Sequence, residues 1–324
     1  MAVKSSTDTV APVDRYIAKL YRSAFAVTPD EYRGWALREI SQVIPNDGGI
    51  WGSGSASRMK FHTCTINGVP DSYPATLEAT GDINPILPQM LQNLDVPVDM
   101  RDVFPDNEFF KSKLYKKAFA PNGISRILSA VHLDPRSGLY SLISLYRSDR
   151  NNPFSDQDRA LQQRITYHLY SAASHNFFLR LAQDRERPVE CAAAVVDQEG
   201  SFHQVQPRFL DLLEKHFPDR DPYTLPFILP EPGTPMVIDD LCIQTQRASD
   251  TFIVYLWPAG PLDHLTPRER EIVHAVAQGL SFKQAARRIG VAPSTVANHL
   301  YRVYRKLGVY SRTELAVLVY PKSP

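Results

Sequence analysis

The chain predicts a multidomain α+β protein, with a mixed front part and an all-helical C-terminal module. Three observations point there. At 324 residues, a prior of roughly 150 residues per domain gives two or three domains. Strand-like runs such as Ser125–Leu133 and Gly138–Arg147 all precede residue 260, and only helical periodicity follows it. Charge divides at the same place. From His264 to Pro324, ten Lys/Arg face three Asp/Glu, giving +7, while the rest carries −6 and the whole chain +1. Such a split suggests a basic module that meets a polyanion and an acidic region that does not.

Composition narrows the class. Apolar residues are 43% and charged residues 22%, as expected of a globular protein and not of a disordered one. No apolar run approaches the roughly 18–20 residues of a membrane span. The opening MAVKSSTDTVAPVD has no apolar stretch of the secretory kind, so a cytoplasmic location is expected. Cys64, Cys191 and Cys242 form no C-x-x-C, which argues against a disulfide framework or a zinc ribbon.

The elements read in order as follows. Residues 1–13 are polar and expected to be disordered. Ile17, Leu20 and Tyr21 mark a helix, and a second runs from near Pro29 to before Pro45. Asn46–Ser57 reads as a turn and a glycine-broken strand, and Met59–Ile66 as a strand closed by Asn67-Gly68. Helical stretches follow at 71–79 and 84–93. The strands at 125–133 and 138–147 flank the loop Asp134–Gly138, and the second is apolar on both faces, as a central strand should be. Ser155 caps a helix expected to reach Arg187, about 48 Å long at 1.5 Å per residue, suited to linking domains or lining a dimer interface. Cys191–Val196 and Phe202–Val205 are strands about a turn, and Pro207–Phe217 is a short amphipathic helix. Met236–Gln246 and Thr251–Trp257 read as antiparallel strands before the linker signal Pro258–Pro261.

The C-terminal module is heavily punctuated. Thr266-Pro267-Arg268-Glu269, Ser281–Gln284 and Ser311–Glu314 are capping boxes, and Gly279, Gly290 and Gly308 close the first three helices. The second and third, joined by a Gly-containing turn, make a helix-turn-helix candidate. Val296, Leu300, Val303 and Leu307 form an apolar seam on the third helix. Thr295, Asn298, Arg302 and Arg305 form a polar-basic stripe opposite. A helix fits the DNA major groove, its N-terminal residues reach base edges, and Lys/Arg neutralise phosphates. Asn298 has the chemistry to pair with adenine.

The motifs L-T-x-R-E (265–269), G-L-S-x-K (279–283), S-T-V-x-x-H (294–299), K-L-G-V (306–309) and S-R-x-E-L (311–315) resemble the LuxR-type, or NarL/FixJ-type, DNA-binding domain over about 55 residues. The resemblance implies a four-helix DNA-binding fold and double-stranded DNA as partner. It implies that Lys283 contacts phosphate or a base edge, and that Ser294, Thr295 and Val296 begin the recognition helix. Asn298 and Arg302 would face the groove, with Tyr301, Arg305 and Lys306 near the backbone. The last helix often forms the dimer contact in that family. The residue after S-T-V, commonly Lys or Arg there, is Ala297 here, so a base-reading charge is missing.

The front region resembles two further families. Tyr16 to about Leu181 is similar to a GAF-type α/β sandwich: helix, two strands, intervening helices, two strong strands and a closing helix. Cys191–Trp257 is similar to a short PAS-like β-sheet domain: strand, Asp197–Gly200 turn, strand, helix, antiparallel strands. These imply a small-molecule sensor or a dimer platform. His62, Cys64, His132 and His203 are candidate pocket residues, although lone His and Cys residues more often simply pack. Trp35, Trp51 and Tyr140 are expected in the core.

The expected organisation is a disordered start (1–13), a GAF-like sensor and dimerisation domain (14–187), a PAS-like domain (188–258), a linker (259–264) and the DNA-binding domain (265–324). G-x-S-x-G, H-E-x-x-H, P-loop and G-x-G-x-x-G motifs are all missing, so no enzyme, catalytic residue, metal ligand or cofactor is expected. The function expected is a dimeric, ligand-tuned transcription regulator of a bacterial cytoplasm, with RNA polymerase and an unidentified small molecule as candidate partners. The alternatives are a ligand-independent DNA-binding dimer and a regulator controlled by a protein docking on the front region.

Overall fold

A computed structural model describes residues 11–56, 60–181 and 190–320. The expectations for residues 1–10, for the last turns of the long helix at 182–187, and for 321–324 lie outside these residues. Pro12 and Val13, expected to be disordered, instead open helix α1 (Pro12–Ser23), because Val13 is buried in the core.

The remaining elements of the front part are α2 (Pro29–Glu39), β1 (Gly48–Ser55), β2 (Lys60–Asn67), α3 (Tyr73–Glu78), α4 (Ile86–Gln92), β3 (Val98–Asp99), α5 (Met100–Val103), α6 (Asp106–Phe109), β4 (Arg126–Leu133), β5 (Leu139–Arg147) and α7 (Asp156–Leu181). The strands form one antiparallel sheet in the order β2-β1-β5-β4-β3. This is the element order that the GAF-like resemblance implies.

Strand β5 is central, and all nine of its residues are buried, as its two apolar faces require. Alternation then splits the core in two. Ile143 and Leu145 join Trp51, Leu20, Leu37 and Leu169 on the face covered by α1, α2 and α7. Tyr140, Leu142 and Tyr146 join Ile50, Met90 and Phe119 on the other face. Polar groups between the layers include Trp51 Nε1, which donates to Ser141 Oγ at 2.7 Å, and Gln162 Nε2, which donates to the Ile143 carbonyl at 3.0 Å. Ser155 does cap α7, its Oγ accepting the Asp158 N–H at 3.2 Å.

A second five-stranded sheet uses β6 (Ala192–Val196), β7 (Phe202–Val205), β8 (Met236–Ile238), β9 (Leu241–Ala248) and β10 (Thr251–Pro258), with α8 (Pro207–His216) between β7 and β8. Its order, β7-β6-β10-β9-β8, repeats the path of the first sheet. The Asp197–Gly200 turn is locked by Asp197 Oδ1, which accepts the N–H groups of Glu199 (3.0 Å) and Ser201 (2.9 Å).

The chain forms two compact units. The first contains the front part with 192–229 and 247–254; the second contains 230–246 and 255–320. The second carries α9 (Pro267–Ala277), α10 (Phe282–Ile289), α11 (Pro293–Leu307) and α12 (Arg312–Val319), around a core that includes Ile272, Val276, Val296, Leu300, Val303 and Leu315. Among the described residues, no helix is long and apolar enough to cross a membrane.

Candidate nucleic-acid interface

The geometry of the basic module starts with its caps. Thr266 Oγ1 accepts the Glu269 N–H at 3.2 Å, and Glu269 Oε2 accepts the Thr266 N–H at 3.0 Å, closing the box at the start of α9. Ser281 and Gln284 close the equivalent box on α10. Gly290 and Gly308 end α10 and α11 in the left-handed conformation, at φ 74° and 63°, which frees the chain to reverse after each helix. Arg312 then ties α12 to the end of α9, donating to the carbonyls of Val276 (2.9 Å) and Leu280 (2.7 Å). A cation that caps a helix C-terminus in this way also suits its dipole.

Helix α11 presents two opposite faces. Val296 and Val303 are wholly buried and Leu300 nearly so. Ser294, Asn298, Tyr301, Arg302 and Arg305 are exposed. At about 100° per residue, these five fall within one arc of about 100° centred away from the seam. Thr295 sits half-buried at the edge, as does Ala297, and Lys283 is exposed in the first turn of α10.

Two of the expected contact residues have partners within the module. Val296 points into the core, because its position one turn before Leu300 places it on the seam. Lys306 Nζ contacts both carboxylate oxygens of Glu269, at 2.9 and 2.7 Å. Burial pushes the Glu269 carboxyl up, but Lys306 and the Thr266 N–H outweigh it and hold it below its ordinary value. Arg268 is likewise occupied by Glu271 and the Ile289 carbonyl, and Arg288 by Gln278. Part of the module's positive charge therefore serves the fold. Among the described residues, Lys283, Arg287, Arg302 and Arg305 have no ion-pair partner.

The front part holds a separate cavity of about 410 Å³ against the sheet face opposite α1 and α7. Met90, Phe119, Val131 and Leu142 supply apolar walls, while Ser129, Tyr140, Lys60 and Glu78 also line it. That size and mix suit a small organic molecule. Sequence reasoning missed this site, because its walls come from strands and short helices that no local motif marks. The four expected pocket residues do not converge on it. His132 pairs with Asp95 at 2.7 Å, Cys64 is exposed on β2, and His62 stacks on His203 at 4.1 Å. Trp51 is a core residue as expected, Trp35 is half-buried at its edge, and Tyr140 serves both core and cavity.

Comparison with known proteins bears on the helical module. Residues 263–319 match the family described as bacterial regulatory proteins, luxR family. An HTH-type transcriptional regulator of Mycobacterium bovis is 50% identical over 58 residues, covering 18% of this chain and 7% of that protein. The nitrate/nitrite response regulator protein NarL of Escherichia coli K12 is 44% identical over 59 residues, covering 18% of this chain and 27% of NarL. The chain thus spans well under a third of either relative. Over 94% of this chain and 95% of that one, the crystal structure of Escherichia coli SdiA superposes at a TM-score of 0.39 with 12% identity, too loose a likeness to carry a functional argument. The four-helix module is a LuxR-family helix-turn-helix domain.

Proposed function

We propose that the chain is a sequence-specific regulator of transcription that binds double-stranded DNA as a dimer in a bacterial cytoplasm. The observation that supports this reading best is the division of α11. Its buried seam fixes the helix on the module, and its exposed stripe offers Asn298 and Arg302 to base edges with Arg305 and Lys283 to phosphates. Thr295, Ser294 and Tyr301 complete the surface. With Ala297 in the first turn, base recognition rests chiefly on Asn298 and Arg302. In this reading the sensor is the GAF-like region (14–187), whose cavity takes a small molecule that favours one dimer arrangement over another. The PAS-like region (188–258) connects it to the DNA-binding domain (265–324).

Selection of genomic DNA by the full-length protein, with and without cell extract, tests the reading. A dyad-symmetric site sharpened by extract supports it. A site indifferent to extract removes the ligand and leaves a constitutive or partner-controlled dimer. Full affinity in both Asn298→Ala and Arg302→Ala refutes the assignment of the reading face.

A further inference from the structure

Three arginines are buried among the described residues: Arg33, Arg126 and Arg147. Two of them face carboxylates. Arg126 donates to both oxygens of Asp106, at 2.6 and 2.8 Å, and Arg147 to Asp158 at 3.1 Å. Arg33, on α2, is 8% exposed and has no such partner among the described residues. Its Nη2 donates to the Trp51 carbonyl (3.1 Å) and to Ser53 Oγ (2.9 Å), and its guanidinium lies over the Trp51 ring at 4.6 Å. Its Nε and Nη1 are buried with no acceptor among the described residues. A guanidinium taken from water without a counter-charge is costly, so something must offset it.

The surroundings show what could. A cavity of about 10 Å³ adjoins Arg33, lined also by Ser53, Tyr170, Ser174, His203 and Gln204. These side chains can all donate a hydrogen bond, and no carboxylate is among the lining residues. Asp197 lies 3.8 Å from His203 Nε2, and its other oxygen is occupied by the turn. His203 stacks on His62. Burial, then His203 and Arg33, pull the His62 imidazole down to about 3, so this corner already rejects a further cation. Burial lowers Arg33 itself to about 10, which leaves it charged at neutral pH.

We propose that Arg33 anchors a binding site for one small monovalent anion of halide size, held where α2 and β1 meet β7 and α7. The volume is near the smallest that admits one water, so a halide enters only as the lining side chains move outward slightly, and phosphate, sulfate and any organic acid are too large. The anion supplies the counter-charge that Asp106 and Asp158 give the other two arginines. Because the lining comes from both sheets and from α7, its binding cross-links β7 to the front sheet.

The test uses the Arg33–Trp51 stack. The full-length protein is titrated with sodium bromide at constant ionic strength, replacing gluconate, while tryptophan emission is read. Trp51 is 1% exposed, so collisional quenching from bulk solvent does not reach it, whereas a bound bromide beside the stack does. The expected result is a saturable quenching component in the low millimolar range, displaced by chloride and missing in Trp51→Phe and Arg33→Met. Gln204→Glu guards against a misfolded Arg33 variant. It brings a carboxylate into the same cavity and should raise the melting temperature in gluconate while abolishing the saturable component. Linear quenching alone, identical in the wild type and Gln204→Glu, would mean that water fills the site and would overturn the proposal.

Discussion

Glu269 is the residue on which the helical module can be tested most sharply. Its side chain is 6% exposed, and it joins the N-terminus of α9 to the C-terminal turn of α11 through Lys306, which is 45% exposed. Removing it as Glu269→Ala deletes half of a capping box, worth about 0.5–2 kcal/mol. The ion pair adds at most about 1 kcal/mol, discounted because Lys306 is half in water. The expected loss is about 2 kcal/mol, or roughly a thirtyfold fall in the protection of amides that exchange by opening this module. Glu269→Gln keeps an acceptor for the Thr266 N–H and loses only the charge, so it should cost under about 1 kcal/mol. The pH dependence follows from the lowered carboxyl. Its charge-dependent contribution is complete above the ordinary value of 4.5 and is lost as pH falls through the lower, folded value. The gap between wild type and Glu269→Gln should therefore close in acid, while Glu269→Ala stays weaker. Hydrogen exchange of the α9 and α11 amides in the full-length protein, corrected for intrinsic rates, measures all three. Equal losses in Ala and Gln at neutral pH, or a Gln gap that ignores pH, would refute the reasoning.

Other substitutions separate folding from binding. Leu300→Ala removes a 4%-exposed core side chain and should destabilise the module by about 2–4 kcal/mol in the same exchange experiment. Arg302→Ala, two residues on and on the opposite, exposed face, should change stability by less than about 0.5 kcal/mol yet weaken specific DNA binding by about 1–3 kcal/mol in a fluorescence titration. Arg305→Met should reduce the slope of log affinity against log salt by about 0.9, whereas Lys306→Met should leave that slope unchanged and weaken α9 instead. Arg147→Met removes the counter-charge of Asp158 and a donor from each of the carbonyls of Pro45 and Pro153, and should cost about 3 kcal/mol in urea denaturation of the front sheet. Leu142→Trp projects an indole into the 410 Å³ cavity; it should leave the melting temperature nearly unchanged and abolish any response of DNA binding to cell extract.

Much of this protein could be read from local pattern. The boxes Thr266–Glu269 and Ser281–Gln284, the glycines that stop α10 and α11, and the seam through Val296, Leu300 and Val303 are all short-range features. They act within a turn or two of helix, so sequence spacing alone expresses them. The central place of β5 was legible for a similar reason, since burial on both faces leaves no polar alternation. The short elements between 98 and 122 were not legible, because helices of one turn are selected by packing and carry no period of their own.

Tertiary structure decided the rest, and it did so where a residue's role depends on a distant partner. The sequence offers Lys306 as a DNA contact and does not show that Glu269, 37 positions earlier, pairs with its ammonium. His62 and His203 lie 141 positions apart, and only the approach of β7 to the front sheet stacks them. Arg33 carries no mark in the sequence; the fold seals it against Trp51 with no carboxylate partner among the described residues. Helix caps and seams are satisfied by neighbours in the chain, so the amino-acid order determines them directly. Cavities and buried charges are satisfied across the fold, and which groups meet there is settled only when the sheets close over them.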